Sequence, residues 1–544
     1  MNERTRFILA ATGVLCASAL AGANPPKFDA FEHARSVPAD VHFFIAIDDA
    51  ATLRTSAAGH AAGEWVREFL RDGKTRAAWE RLAQRIELKS ADAFDALLGR
   101  SMVFAARFEA DDADEASGTW SWIVLSEVTD EIAQKLRAGL QATPRWLEKG
   151  VPVLSLEEGR FSLVVMRRAS VSLLLLAPTD AMGLFDQMAP ALREGLAEPL
   201  SASAEFARVR ALRAAPQIAV FARNRETMEQ WSAGALVTRD AGFDAAFVLH
   251  RPRADANPLP APMWDAGMIE AVPPEMLGFV VEACSSGAAV CSGAAGLLLG
   301  LQVVEELQGS QELGGLSAIA LLRSPAVGEP GIDFVAAVEV NDVAKAARLG
   351  DAAVGRWASG LLHAVKAGVM PDPGTLDWQG LEPGAGRFLK LPPPPGWPAS
   401  ILWADGLDVA WSYRTVVEAG EPGESNRSRG WWTLGTSEQA VEAVSAVLVR
   451  PSREETPKTA ALLSVGFVRP AAIFERLAGA GDEADGRSAP QGTERLDPIS
   501  LLGLFARCRE ISWRVGADPQ GLLVGTGRIE FVAEGEPGAG LRAR

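Results

Sequence analysis

The chain has 544 residues, 48% of them hydrophobic and 22% charged, the balance of a folded globular protein long enough to bury large cores. Its 69 acidic and 53 basic residues leave a formal charge of −16. That balance works against sequence-independent nucleic-acid binding, in which Lys and Arg neutralise phosphates, and against docking on an anionic membrane surface.

The N-terminus reads MNERTRFILAATGVLCASALAGANPP. Arg4 and Arg6 precede an apolar stretch from Phe7 to Leu20, and Ala21 and Ala23 then fit an A-x-A cleavage site. Residues 1–23 are expected to be a signal peptide, with a periplasmic or secreted product; an uncleaved segment would instead retain the chain at the membrane. Cleavage removes Cys16 and leaves Cys284, Cys291 and Cys508, an odd number that rules out full pairing. A continuous helix would separate Cys284 and Cys291 by about 10 Å, too far for a disulfide, so only a turn at Ser285–Gly287 allows a bridge. Buried, small, apolar cysteines are the expectation in so large a chain.

Next comes SVPADVHFFIAIDDA, from Ser36, which finds a partner in AVPPEMLGFVVEACS, from Ala271. Val37-Pro38 aligns with Val272-Pro273, Asp40 with Glu275, and Phe44-Ile45 with Phe279-Val280. Further matches follow in the same order. GTWSWIVLSEVTD, ending at Asp130, answers to GIDFVAAVEVND, ending at Asp342, and SLEEGRFSLVV answers to LWADGLDVAWS. LLLLAPTDAMGLFDQM answers to WWTLGTSEQAVEAV, and APQIAVFARNRETM to AALLSVGFVRPAAIF. Ordered self-similarity of this kind is the mark of a tandem duplication.

The repeat predicts a fold of class α+β: two tandem related domains, each a mainly antiparallel sheet packed with helices. Within each, a first strand leads through helices to a strand pair, a helix, a three-strand meander, and a closing group of strands. RFSLVVMRRASVSLLLLAPTD shows two β-rich runs joined by the polar turn RRAS. The expected boundaries are 24–255 for the first domain, 256–267 for a Pro-rich linker, 268–533 for the second domain and 534–544 for a flexible tail. Insertions fall near 358–398, including the polyproline run LPPPPGWPAS, and near 479–497.

Candidate chemistry is sparse. Asp48-Asp49 closes the first strand, where adjacent side chains point to opposite faces; a turn with an Asp cap is the expectation, and the second copy has Ala283 and Cys284 there. The acidic tip EADDADE, from Glu109, lacks the ligand spacing of a calcium loop and reads as a solvated hairpin end. Within the apolar stretch Met276–Val304, GAAVCSGAAGLLLGLQVV has no Lys for a phosphate loop; it reads as a buried or inter-domain helix, with a span or an apolar-ligand surface as alternatives. Trp403, Trp411 and Trp432 lie in strand patterns and are expected in the core, whereas Trp378 and Trp397 lie in loop-like sequence. No G-x-S-x-G, H-E-x-x-H or C-x-x-C occurs, and His33, His42, His60, His250 and His363 are scattered.

Pro38-Ala39-Asp40 with its following apolar strand resembles the opening of the repeats in a family of exported bacterial proteins of unknown function. The second copy departs from that pattern at Pro274-Glu275. The resemblance implies export and transfers no catalytic residue, cofactor or metal ligand. The functional expectation is a non-catalytic, extracytoplasmic binding or scaffold protein of the bacterial envelope, its partner another envelope protein. The alternatives are a carrier of an apolar ligand such as lipid, or a hydrolase with an unconventional site drawing on His42, Asp48 and Asp49.

Overall fold

The structure is a computed structural model. It describes residues 30–48, 80–250 apart from short breaks, 272–283, 313–323, 331–348, 378–379, 387–391, 407–415, 430–449, 462–482, 507–518 and 522–532. It is mostly antiparallel sheet with helices, the α+β class expected, and it divides into two compact units.

The first unit comprises residues 1–253 with 494–509 and 522–540. It opens with a short helix α1 (Ala30–His33) and a 3-10 turn (Ala34–Ser36). Strand β1 (Phe43–Ile47) and the hairpin β2 (Met102–Asp111) and β3 (Asp114–Val128) follow. After helix α2 (Asp130–Gly139) come β4 (Ala142–Leu147), β5 (Val151–Leu156), β6 (Phe161–Arg168) and β7 (Val171–Pro178). The meander therefore has four strands where the sequence predicts three: β4 contains Pro144 and lacks an apolar alternation, which hides it from pattern reading. Helices α3 (Gly183–Glu194) and α4 (Ala204–Leu212) lead to β8 (Ile218–Arg223), β9 (Trp231–Arg239) and β10 (Gly242–His250).

The second unit comprises residues 254–493 with 510–521 and 541–544. It holds β11 (Met276–Ala283), β12 (Leu313–Arg323), β13 (Ile332–Val340), the short β14 (Trp378–Gln379), β15 (Arg387–Leu391), β16 (Leu407–Thr415) and β17 (Gly430–Gly435). Helix α5 (Glu438–Leu448), β18 (Leu462–Val468), helix α6 (Pro470–Asp482) and β19 (Cys508–Ala517) complete it.

In the first unit the strands lie in the order β4-β5-β6-β7-β3-β2-β1-β8-β9-β10, each pair antiparallel. In the second the order is β14-β15-β16-β17-β13-β12-β11-β18-β19. The register repeats as well as the order. Phe44 stands between Phe221 on β8 and Ala105 on β2, and Ala105 faces Ile123 on β3. Phe279 stands between Phe467 on β18 and Ala320 on β12, and Ala320 faces Val335 on β13. All eight side chains are buried.

Strand β20 (Leu523–Phe531), which the sequence reading includes in 268–533, groups with the first unit and pairs with β10, from Gly242 opposite Glu530 to Leu249 opposite Leu523. Gly242 permits this approach, since a Cβ there would overlap the Ile529 carbonyl oxygen and lie 2.9 Å from the Glu530 Cα.

The runs in β6 and β7 are nearly continuously apolar because helices cover both faces of the sheet there. Val164, Met166, Leu173 and Leu175 pack toward Leu184, Phe185 and Met188 of α3. The alternate residues Leu163, Val165 and Leu174 pack with Ile132, Ala133 and Leu136 of α2 and with Leu82 and Ile86. In the second unit Phe279, Val281, Ala320, Val335 and Val465 form the core with Ala440, Val444 and Leu448 of α5. Among the described residues, no helix is long and apolar enough to cross a membrane.

Met276–Ala283 of the long apolar stretch is strand β11; the helix expected across Gly287–Val304 lies outside the described residues, as do Cys284, Cys291 and the 256–267 linker.

Candidate functional site

The motif that opens the repeat is a strap fastened by three arginines. Arg168, the last residue of β6, donates from Nη1 to Ser36 Oγ at 3.1 Å. Arg223, ending β8, donates from Nη1 to the Ala39 carbonyl at 2.5 Å. Arg107 of β2 donates from Nη1 to Asp40 Oδ2 at 3.0 Å and to Gln187 Oε1 at 2.8 Å, and from Nη2 to Glu109 Oε1 at 3.1 Å. The backbone between these points is held too. The Leu200 N–H donates to Val37 O at 2.7 Å, the Ala39 N–H donates to Glu198 O at 3.1 Å, and Pro38 bridges to Pro199. A proline suits this place, because it fixes φ and needs no acceptor for an N–H.

The second unit repeats the central fastening. Arg469, directly after β18, donates from Nη1 to the carbonyls of Pro274 (3.2 Å) and Met276 (2.8 Å). Pro274 is the residue that aligns with Ala39. The backbone N–H of Arg223 reaches His42 O at 2.8 Å, and that of Arg469 reaches Leu277 O at 2.7 Å, again an aligned pair. Each guanidinium lies over the phenylalanine two residues before it, 5.1 Å from the Phe221 centroid and 4.9 Å from that of Phe467. Each also meets a carboxylate: Glu205 at 3.5 Å from Arg223, and Glu510 at 3.0 Å from Arg469. Arginine suits the position because its planar fork satisfies several oxygens while its face packs on an aromatic ring.

Among the described residues the Arg107 cluster has no such counterpart. By sheet register its place in the second unit is taken by Leu322, which is buried. Beside the cluster, His42 Nδ1 accepts the Phe108 N–H at 3.2 Å, and its ring meets Trp120 edge-on at 5.8 Å. The acceptor role at Nδ1 places the neutral ring's proton on Nε2. The first unit thus has a mixed-charge polar patch, Asp40, Arg107, Glu109 and Gln187, whose arginine stands where the second unit has the buried Leu322.

Other sequence candidates are not assembled into this site. Asp48 follows β1 and its N–H donates to Gln217 O at 2.8 Å, so it occupies the end of the strand, while Asp49 lies outside the described residues. His42 precedes β1 and Asp48 follows it, which separates them by about 20 Å along an extended chain. Strand β1 therefore holds these two residues apart. The acidic tip does form the end of the β2–β3 hairpin, with Glu109 engaged by Arg107. Among the described residues no group of three or more His, Cys, Asp and Glu could hold a metal ion. Trp432 is core, as expected; Trp378, read as loop, lies in β14 and pairs with Leu389 of β15, and Trp397 and Trp403 lie outside the described residues.

Cys508 is buried, and that burial pushes its thiol up to about 12. A thiol held protonated is a poor nucleophile. Alkylation followed by peptide mapping is expected to leave Cys508 unmodified in the native protein and modify it fully in denaturant; native labelling at the denatured rate would refute its burial.

Sequence reasoning missed the arginines. The signal was present, since FAR (Phe221–Arg223) and FVR (Phe467–Arg469) sit at aligned positions, but nothing local says what such an arginine reaches. Compared with known proteins, the chain matches no family model, no curated protein and no solved structure.

Proposed function

We propose that the chain is a tandem duplication of one α+β domain, exported across the inner membrane, and that it works by binding as a scaffold component of the bacterial cell envelope. The observation that carries the reading is the fastening itself. The polar side chains with the best-defined geometry, Arg107, Arg168, Arg223 and Arg469, secure chain to chain at the start of each repeat and do not converge on a reacting atom. Repeated strand order, a repeated Phe–Phe–Ala row and a repeated arginine contact support common ancestry of the two units. The basic, apolar and small-residue order of residues 1–23 supports export.

The acidic balance directs the partner toward proteins over nucleic acid or anionic lipid. The test has two arms. Residues 1–30 fused to a reporter active only outside the cytoplasm should give activity, and cross-linking in intact cells should recover the same envelope protein in replicate experiments. An inactive reporter, or cross-links that vary from one replicate to the next, would overturn the proposal.

A further inference from the structure

We propose that the segment from Ala30 to Asp40 is an acid-released latch, which leaves the sheet of the first unit when His33 takes up a proton. His33 ends α1 and is 2% exposed, and Ala34, Val37 and Val41 beside it are wholly buried. A four-residue helix and a single 3-10 turn have no stability of their own, so this segment stays in place through its fastenings. Those fastenings run to β6, β8, β2 and residues 198–200, and they form one contiguous unit that can open locally.

Among the charges around the turn, the Arg168 guanidinium opposes an imidazolium at His33. Its own turn carries Glu32 and Arg35, paired with each other at 3.7 Å. From β6 comes Arg168, which bonds Ser36 three residues away. Packed beside the turn, β2 carries Arg107 and Glu109, already bound to one another, and α3 carries Asp186, Arg193 and Glu194. Strand β1 and the Leu200–Ala202 turn carry none. Glu127 of β3 is buried near Glu32 and Arg100, and burial holds its carboxyl above the usual range.

For His33, burial first and Arg168 second hold the ring down at about 3, against an ordinary value of 6.5. The sign follows. Above the ordinary value both closed and open forms are neutral, and pH has no effect through this residue. Below it the open form takes a proton and the closed form does not, so opening gains up to about tenfold per pH unit. Glu127 acts oppositely, because burial favours its protonated form in the closed state and opening to solvent removes that preference. Extending the Ser36–Ala271 match back by three residues puts Met268, which has no titratable side chain, opposite His33.

The experiment is hydrogen exchange of the full chain from about pH 7.5 to about pH 4.5, corrected for intrinsic exchange, on wild type and His33→Asn. In the wild type, peptides covering residues 30–41 should lose protection as pH falls, while β6, β7 and the 272–277 segment keep theirs. The ratio of opening constants, wild type over variant, isolates the histidine from Glu127, and it should rise by up to about tenfold per unit below pH 6.5. A flat ratio, or loss of protection across the whole first unit at once, would overturn the latch. If His33→Asn does not fold at neutral pH, Arg168→Met serves instead. Removing the cation beside the ring should make the pH dependence of opening shallower, and an unchanged slope would count against the proposal.

Discussion

Phe44→Ala is expected to destabilise the first unit by about 3–5 kcal/mol, the range for deleting a buried phenylalanine ring. Phe44 is wholly buried, lies opposite Phe221 in the sheet, and meets Phe206 of α4 edge-to-face at 5.2 Å. The cavity would open between sheet and helix, where α4 also rests on Phe221 (6.0 Å between Phe206 and Phe221). Collapse of that space would require α4 to move as a body, so little of the loss can be recovered. Phe279→Ala makes the same deletion in the second unit, since Phe279 is wholly buried opposite Phe467. Denaturant melts followed by unit-specific peptide exchange should show each variant weakening its own unit. Equal loss in both units from either variant would contradict the division into two cores.

Ending the chain after Gly521 is expected to have a comparable effect on the first unit, although the cut lies about 270 residues beyond β10 in sequence. It removes β20 and with it eight cross-strand pairs to β10, the edge contact between Phe243 and Phe531 at 6.0 Å, and the ion pair of Arg528 with Asp244 at 3.6 Å. Leu522, which belongs to the first unit's core, goes too. Strand β10 would then present a nine-residue edge of unpaired N–H and C=O groups, a template for association. The truncated chain should show proteolysis within residues 218–250 and concentration-dependent self-association on size-exclusion chromatography. Full protection of those residues and a monomeric elution would contradict the pairing.

Much of the fold was legible because the strongest signals were local. The runs in β1, β6 and β7, the RRAS turn and the hairpin ending in EADDADE are read from alternation and turn chemistry within a few residues. The ordered sequence matches fall on the apolar rows that fill each core, Phe44 with Phe221 and Phe279 with Phe467. What stayed hidden depends on long-range contacts. Arg223 and Ala39 are 184 residues apart, and Arg469 and Pro274 are 195 apart, so no window along the chain contains both ends. The assignment of β20 is similar: its sequence LVGTGRIEF says strand, but its neighbour β10 lies more than 270 residues earlier, with Gly242 leaving room for the close approach. Asp48-Asp49 attracted attention as adjacent charges, whereas the geometry lies a few residues earlier, at the proline and the two residues that follow it.

The central claim is that each repeat opens on a segment fastened by an equivalent arginine, and a pair of substitutions tests it most directly. Arg223→Met and Arg469→Met keep the aliphatic packing over Phe221 and Phe467 but remove the donors to the Ala39, Pro274 and Met276 carbonyls. Losing charge-assisted bonds to part-buried and exposed backbone carbonyls costs about 1–2 kcal/mol. In peptide-resolved hydrogen exchange, Arg223→Met should raise exchange at residues 37–43 while 272–279 stays as in the wild type, and Arg469→Met should do the reverse. Unchanged exchange at both segments, or equal increases in both from either single substitution, would contradict the account.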